Sequence, residues 1–172
     1  MKRIVVLLVV LLPVFAFAQQ NNFSALGMNV IWRKVYTVDK DVTAKTLAYN
    51  MRMAGVFRDF FFEDGLITCE MVNVKALYRD LGYKGMSLPI YLTNGVFSGF
   101  VTVEYKPDRY RVTINRLVVG NKRLGDSDLE AYALKDDGSG IKDEFQDPAG
   151  KILAHTFDAF FSWLSNEIDD EW

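Results

Sequence analysis

The chain holds one histidine and one cysteine, and those two residues bound most of its possible chemistry. His155 is the side chain suited to proton transfer near neutral pH. At helical spacing it falls with Lys151, Asp158 and Ser162, opposite an apolar stripe, where a histidine is solvated. Asp158 lies three residues on and is placed to pair with it, but a His–Asp contact without a positioned nucleophile is no triad. Cys69 occupies a strand position aimed at an apolar face, where a thiol stays protonated and inert. A single cysteine forms no intramolecular disulfide, and a single histidine supplies no multi-histidine metal site.

Paired carboxylates are the other route to catalysis. Asp59 and Glu70 are brought opposite each other by the hairpin register derived below. A glycosidase needs two carboxyls about 5–9 Å apart across a sugar-sized cleft. The plainer reading is two acids relieved by solvent or by a cation such as Arg33. The run Asp136-Asp137-Gly138-Ser139-Gly140 does not satisfy a calcium loop: with either glycine sixth, Ala133 or Lys135 stands first and no Glu stands twelfth. Dinucleotide, phosphate-loop, zinc-protease, CxxC and nucleophile-elbow motifs are missing. The sequence therefore assigns no catalytic residue, no cofactor and no metal. Aromatic side chains remain: alternation along one strand sends Phe57 and Phe61 to the face opposite the core, and Phe100 takes the corresponding place on a second hairpin. Phe57, Phe61 and Phe100, with Asp59 and Glu70, are the candidate binding residues, unless long loops cover the rings.

Positioning these side chains requires a sheet. Residues 29–38 alternate and are rich in β-branched and aromatic types, which predicts a strand. A helix follows, with Asp39 and Asp41 as capping residues, Leu47, Ala48 and Met51 on its buried face and Gly55 at its end. Residues 56–62 and 66–74 form a hairpin about Asp64-Gly65. Its register pairs Phe62 with Ile67, Phe60 with Cys69 and Arg58 with Met71, and sets Asp59 against Glu70.

A second hairpin joins 96–106 to 109–119 about Pro107-Asp108. Tyr105–Tyr110, Val103–Val112, Val101–Ile114 and Phe97–Val118 share one face, and Glu104–Arg111 with Thr102–Thr113 share the other. Between the hairpins, residues 75–94 read as a long connection with a short helix at 76–81; residues 120–146 read as a second, with a short strand at 129–135. A closing helix begins at Asp147-Pro148 and carries Ile152, Leu153, Phe157, Phe160, Phe161, Leu164 and Ile168 at helical spacing. The expected architecture is α+β, two-layered, in the order β-α-β-β-β-β-α, with the helices on one face of a curved antiparallel sheet.

The amino terminus is an address. Lys2-Arg3, an apolar run over residues 4–12 and Ala16-Phe17-Ala18 form a secretory signal peptide cut after Ala18. That leaves 19–28 as a flexible lead-in, 29–168 as a single domain and 169–172 as a frayed tail. No cysteine stands at the cut, so the product is exported to the periplasm or beyond and is not a lipoprotein. The remaining chain carries 18 basic and 22 acidic side chains, a net charge of −4. That balance is a poor match for nucleic acid or anionic lipid, and no later stretch is apolar enough to span a membrane.

Residues 99–106 (Gly-Phe-Val-Thr-Val-Glu-Tyr-Lys) and 109–114 (Arg-Tyr-Arg-Val-Thr-Ile) resemble the central signature of secreted Bacteroidetes domains of unknown function with a TBP-like fold. Residues 32–36 and the closing helix fit the same pattern, so the likeness covers roughly residues 30–165. Pro107-Asp108 departs from the Asp-Gly expected in the turn. The resemblance implies a fold and an envelope setting, and no activity. The leading expectation is a non-enzymatic binding or protein-interaction module of the bacterial envelope, its partner an envelope protein. A lipid-like ligand carrier with a pocket between sheet and helices, gated by residues 75–94, is second. A hydrolase using Asp59 and Glu70 is third.

Overall fold

The computed structural model describes residues 21–121 and 125–165. The expected signal peptide, Ile168 and the expected 169–172 tail lie outside the described residues. Along the chain run β1 (Phe23–Leu26), β2 (Asn29–Thr37), α1 (Ala44–Met53), β3 (Phe57–Glu63), β4 (Leu66–Val74), α2 (Ile90–Asn94), β5 (Val96–Lys106), β6 (Arg109–Asn121), β7 (Gly125–Asp128), α3 (Glu130–Ala133) and α4 (Lys151–Phe161). The expected order survives as β2-α1-β3-β4-β5-β6-α4, and the protein is an α+β fold on an antiparallel sheet.

The strands pair in the order β1-β2-β6-β5-β4-β3. On the edge away from β5, β6 is long enough to serve two neighbours: residues 109–114 pair with β2, and residues 118–121 pair with β7. Three expectations are corrected here. The lead-in is not wholly flexible, because Phe23 is buried in β1 against Phe145 and Phe157, and that burial anchors a segment whose neighbours are polar. Residues 78–82 form successive turns where a helix over 76–81 was expected, and the helix of that connection is α2. Within 129–135 the chain forms α3 and not a strand.

Three β-bulges cross the sheet. Asp59 and Phe60 stand opposite Cys69 alone, Val72 and Asn73 opposite Ser98, and Arg116 and Leu117 opposite Gly99. Each contains one left-handed residue: Asp59 at φ +55°, Asn73 at +56° and Arg116 at +50°. A bulge bends its strand and increases the local twist. Three on successive strand pairs bend the sheet along one line. Gly99 sits on that line because a Cβ there would come within 3.1 Å of both Ile114 and Leu117.

Both long helices lie on one face. Leu47, Ala48 and Met51 of α1 join Ile152, Leu153, Phe157 and Phe161 of α4 over Trp32, Ile67, Cys69, Val101, Val103, Val112 and Ile114. Each large side chain buried this way is worth about 1.5–3 kcal/mol. Thr43, not Asp39 or Asp41, caps α1, its hydroxyl accepting the Thr46 N–H at 3.2 Å. Polar contacts fix the layers in register. The Tyr110 hydroxyl donates to the Phe161 carbonyl, Asn50 donates to Leu164 O at 2.8 Å, and the buried Thr156 hydroxyl accepts the Leu77 N–H at 2.9 Å.

Candidate functional site

Alternation along β2 sends Trp32, Lys34 and Tyr36 toward the helices and Arg33 and Val35 to the other side. Among the described residues that second face carries no helix, and the ladder registers give its rows. One runs Phe61–Thr68–Thr102–Thr113–Arg33 and the next runs Glu63–Leu66–Glu104–Arg111–Val35. A third runs Arg58–Glu70–Phe100–Asn115. The bare face is thus a threonine-centred strip between a charged row and a mixed aromatic one. Phe61 and Val35 are both 53% exposed.

Two ion pairs organise the charges. Arg111 holds Glu104 with both Nε and Nη2 at 2.7 Å, and Arg58 holds Glu70 through Nε at 3.1 Å and Nη2 at 2.8 Å. Arg33 donates from Nε to the Thr113 hydroxyl at 3.3 Å. At the β5–β6 turn end a cleft of about 290 Å³ is lined by Val35, Glu104, Lys106, Arg109 and Arg111. Sequence reasoning found the Glu104–Arg111 pair but not this cleft, whose signal was the Arg-x-Arg spacing at 109 and 111.

The candidate residues separate. Phe61 and Phe100 do reach the bare face, on opposite sides of β4 and offset by two positions in register, with Phe100 half-buried. Phe57 does not. The extra residue at Asp59 turns Phe57 into the core, where it is 7% exposed and lies 5.4 Å from the Phe161 ring. The same bulge breaks the Asp59–Glu70 opposition. Arg58 stands opposite Glu70, paired to it and, at 3.5 Å, to Asp59. Arg33 is not the relieving cation, and the two carboxylates share a guanidinium instead of facing a cleft.

His155 and Asp158 also part company. Asp158 accepts hydrogen bonds from Lys34 Nζ at 2.5 Å and from the Tyr36 hydroxyl at 2.9 Å. Burial, with the Asp158 carboxylate beside it, holds the Tyr36 phenol far above its ordinary range. His155 Nε2 faces Asp80 at 3.8 Å on the 78–82 turns. Cys69 is buried as expected, and burial pushes its thiol up to about 12. Asp137 caps its own turn by accepting the Ser139 N–H at 2.9 Å, which holds its carboxyl below the usual range. Among the described residues no three His, Cys, Asp or Glu side chains cluster as a metal site would require.

The layer between sheet and helices is filled: Trp32, Phe97, Phe157, Phe161, Leu47 and Met51 are fully buried there. Two larger hollows open elsewhere. One of about 370 Å³ is lined by residues 75–80 with Leu92 and Thr93, and one of about 650 Å³ by Asn73, Lys75, Asn94, Val96, Gly120, Asn121 and Asp126. Among the described residues no helix is long and apolar enough to cross a membrane.

No family model and no curated protein matches this chain. Among solved structures it is similar to a DUF4468 family protein, a domain of unknown function from Bacteroides ovatus. The TM-score is 0.50 at 15% identity, over 86% of this chain and 92% of the other. The two share a fold. A TBP-like protein from Parabacteroides distasonis aligns over 83% of this chain and 97% of its own at 9% identity and a TM-score of 0.48. The DUF4468 likeness accords with the resemblance read from residues 99–114, and it speaks to the fold alone.

Proposed function

We propose that this chain is a non-enzymatic binding module, exported to the bacterial envelope, that takes up a protein partner on the bare face of its sheet. One observation carries the reading: among the described residues a seven-stranded sheet is covered by helices on one face only, and the other presents Phe61 and Val35, each 53% exposed, on strands fixed by pairing. Aromatic and aliphatic groups held on rigid strands lose little entropy on contact and make good interface anchors. Two charge pairs stand nearby, Arg58–Glu70 and Arg111–Glu104, as at a polar rim. Support for a non-enzymatic role is local: Cys69 is buried, His155 faces Asp80, and Asp59 and Glu70 share the Arg58 guanidinium. The carrier reading draws no such support, since side chains occupy the layer it needs.

The test is partner capture from the native cells with the wild-type chain and with Phe61→Ser and Phe100→Ser. Loss of one reproducible, near-stoichiometric partner in both variants, at unchanged circular dichroism, is the expected result. Undiminished capture by both folded variants would remove the bare face from consideration.

A further inference from the structure

We infer that the cleft beside Val35 receives a carboxylate-bearing, extended segment of the partner protein; this rests on the binding reading above and names the chemistry of what binds. The cleft holds three cations, Lys106, Arg109 and Arg111, against one carboxylate, Glu104, in a chain whose net charge is −2. Glu104 is committed to Arg111 through two 2.7 Å bonds, which fixes that guanidinium in place. Lys106 has no ion pair among the described residues, and Arg109 has only its exposed sequence neighbour Asp108 at 3.4 Å. Two cations therefore face the cleft with capacity to spare.

Spacing points to a peptide. Arg109 and Arg111 are two residues apart on one strand, so their side chains leave the same face about 6.8 Å from each other. An extended peptide repeats its same-side groups at that interval. Acidic residues at alternate positions would therefore meet Arg109 and Lys106 at the mouth and the free edge of Arg111 within. Guanidinium forks match planar carboxylates, as Arg111 already does with Glu104. Val35 supplies an exposed aliphatic floor for the stem of one such side chain. Beyond the cleft the segment would continue over Thr102 and Thr113, whose hydroxyls can donate and accept, toward Phe61.

The experiment is fluorescence anisotropy of the full exported chain with a fluorescein-labelled peptide of alternating Glu and Thr, and with its Gln–Thr counterpart. The Glu peptide should bind, weaken with added salt and lose about tenfold in affinity in the Lys106→Gln/Arg109→Gln double variant, the loss of two exposed charge contacts. Both substitutions are at exposed sites of the turn end, and circular dichroism should be unchanged. Equal binding of the Gln peptide, no binding of the Glu peptide, or an unchanged affinity in the double variant would overturn the inference. So would binding to vesicles of anionic phospholipid in preference to the peptide. Failure here with capture still lost in Phe61→Ser would leave the bare face as the site and discard the acidic segment; capture unaffected by Phe61→Ser and Phe100→Ser would discard the face itself.

Discussion

Phe57 and Phe61 lie four residues apart on β3, and plain alternation would place them on the same face. The bulge at Asp59 separates them, so truncating each should have very different costs. Phe57 is 7% exposed and packs on Phe161; Phe→Ala at such a site removes the buried ring and leaves a cavity, a loss of about 3–5 kcal/mol. Phe61 is 53% exposed, and its truncation should stay within about 0.5 kcal/mol. For a domain of this size roughly 2–4 °C of Tm accompanies each kcal/mol, so Phe57→Ala should lower Tm by roughly 6–20 °C and Phe61→Ala by no more than about 2 °C. Urea unfolding followed by far-ultraviolet circular dichroism, with the slope against denaturant checked for constancy, gives both free-energy losses, and thermal melts give the Tm shifts. Equal losses from the two variants, or the larger loss from Phe61→Ala, would mean that β3 keeps unbroken alternation and that the bulge is wrong.

Three further outcomes follow from buried Cys69 and from the contacts of Asp158. Cys69, its thiol pushed up to about 12 by burial, should resist Ellman's reagent at pH 8 until the protein is unfolded; reaction at the rate of a free thiol would contradict the packing. Because the unfolded thiol releases its proton first, the stability held at neutral pH declines from about pH 9 toward 12, and Cys69→Ala should flatten that decline by about 1.4 kcal/mol per pH unit. Asp158→Ala strands Lys34 and Tyr36 beneath α4 and should cost about 1–3 kcal/mol in urea unfolding, with Asp158→Asn recovering part of it; a neutral Asp158→Ala would show that the clasp does not form.

Much of the fold was legible where two levels of signal agreed. The β5–β6 hairpin pairs as derived from Tyr105–Tyr110 through Val101–Ile114, because a one-residue slip would mix both faces. Phe62–Ile67 is likewise correct beside the Asp64-Gly65 turn. Errors begin beyond each bulge: Phe97 meets Val119 instead of Val118, and Phe57 meets Met71 in place of Arg58. The residues that take the left-handed conformation are Asp59, Asn73 and Arg116, and no glycine marks those positions. A period of two reads straight through them.

β1 was missed because it spans only four residues, Phe23-Ser24-Ala25-Leu26, of which Phe23 alone is buried while Leu26 is 64% exposed. The site was half-legible. Phe61, Phe100 and Glu104–Arg111 follow from alternation, whereas the cleft depends on where three strands end together. His155 was placed beside Asp158 by helical spacing, but Lys34 and Tyr36 compete for that carboxylate from the sheet, a tertiary contact that local spacing does not encode.

The central claim is that the bare sheet face is the binding surface, and residue-specific photocrosslinking tests it most directly. A p-benzoylphenylalanine placed at Phe61, on that face, or at Tyr49, 50% exposed on α1, reports each side of the molecule at matched exposure. Irradiation in the native cells should give a discrete crosslinked partner from Phe61 and none from Tyr49. A partner captured from Tyr49 and not from Phe61 would place recognition on the helical layer and contradict the account.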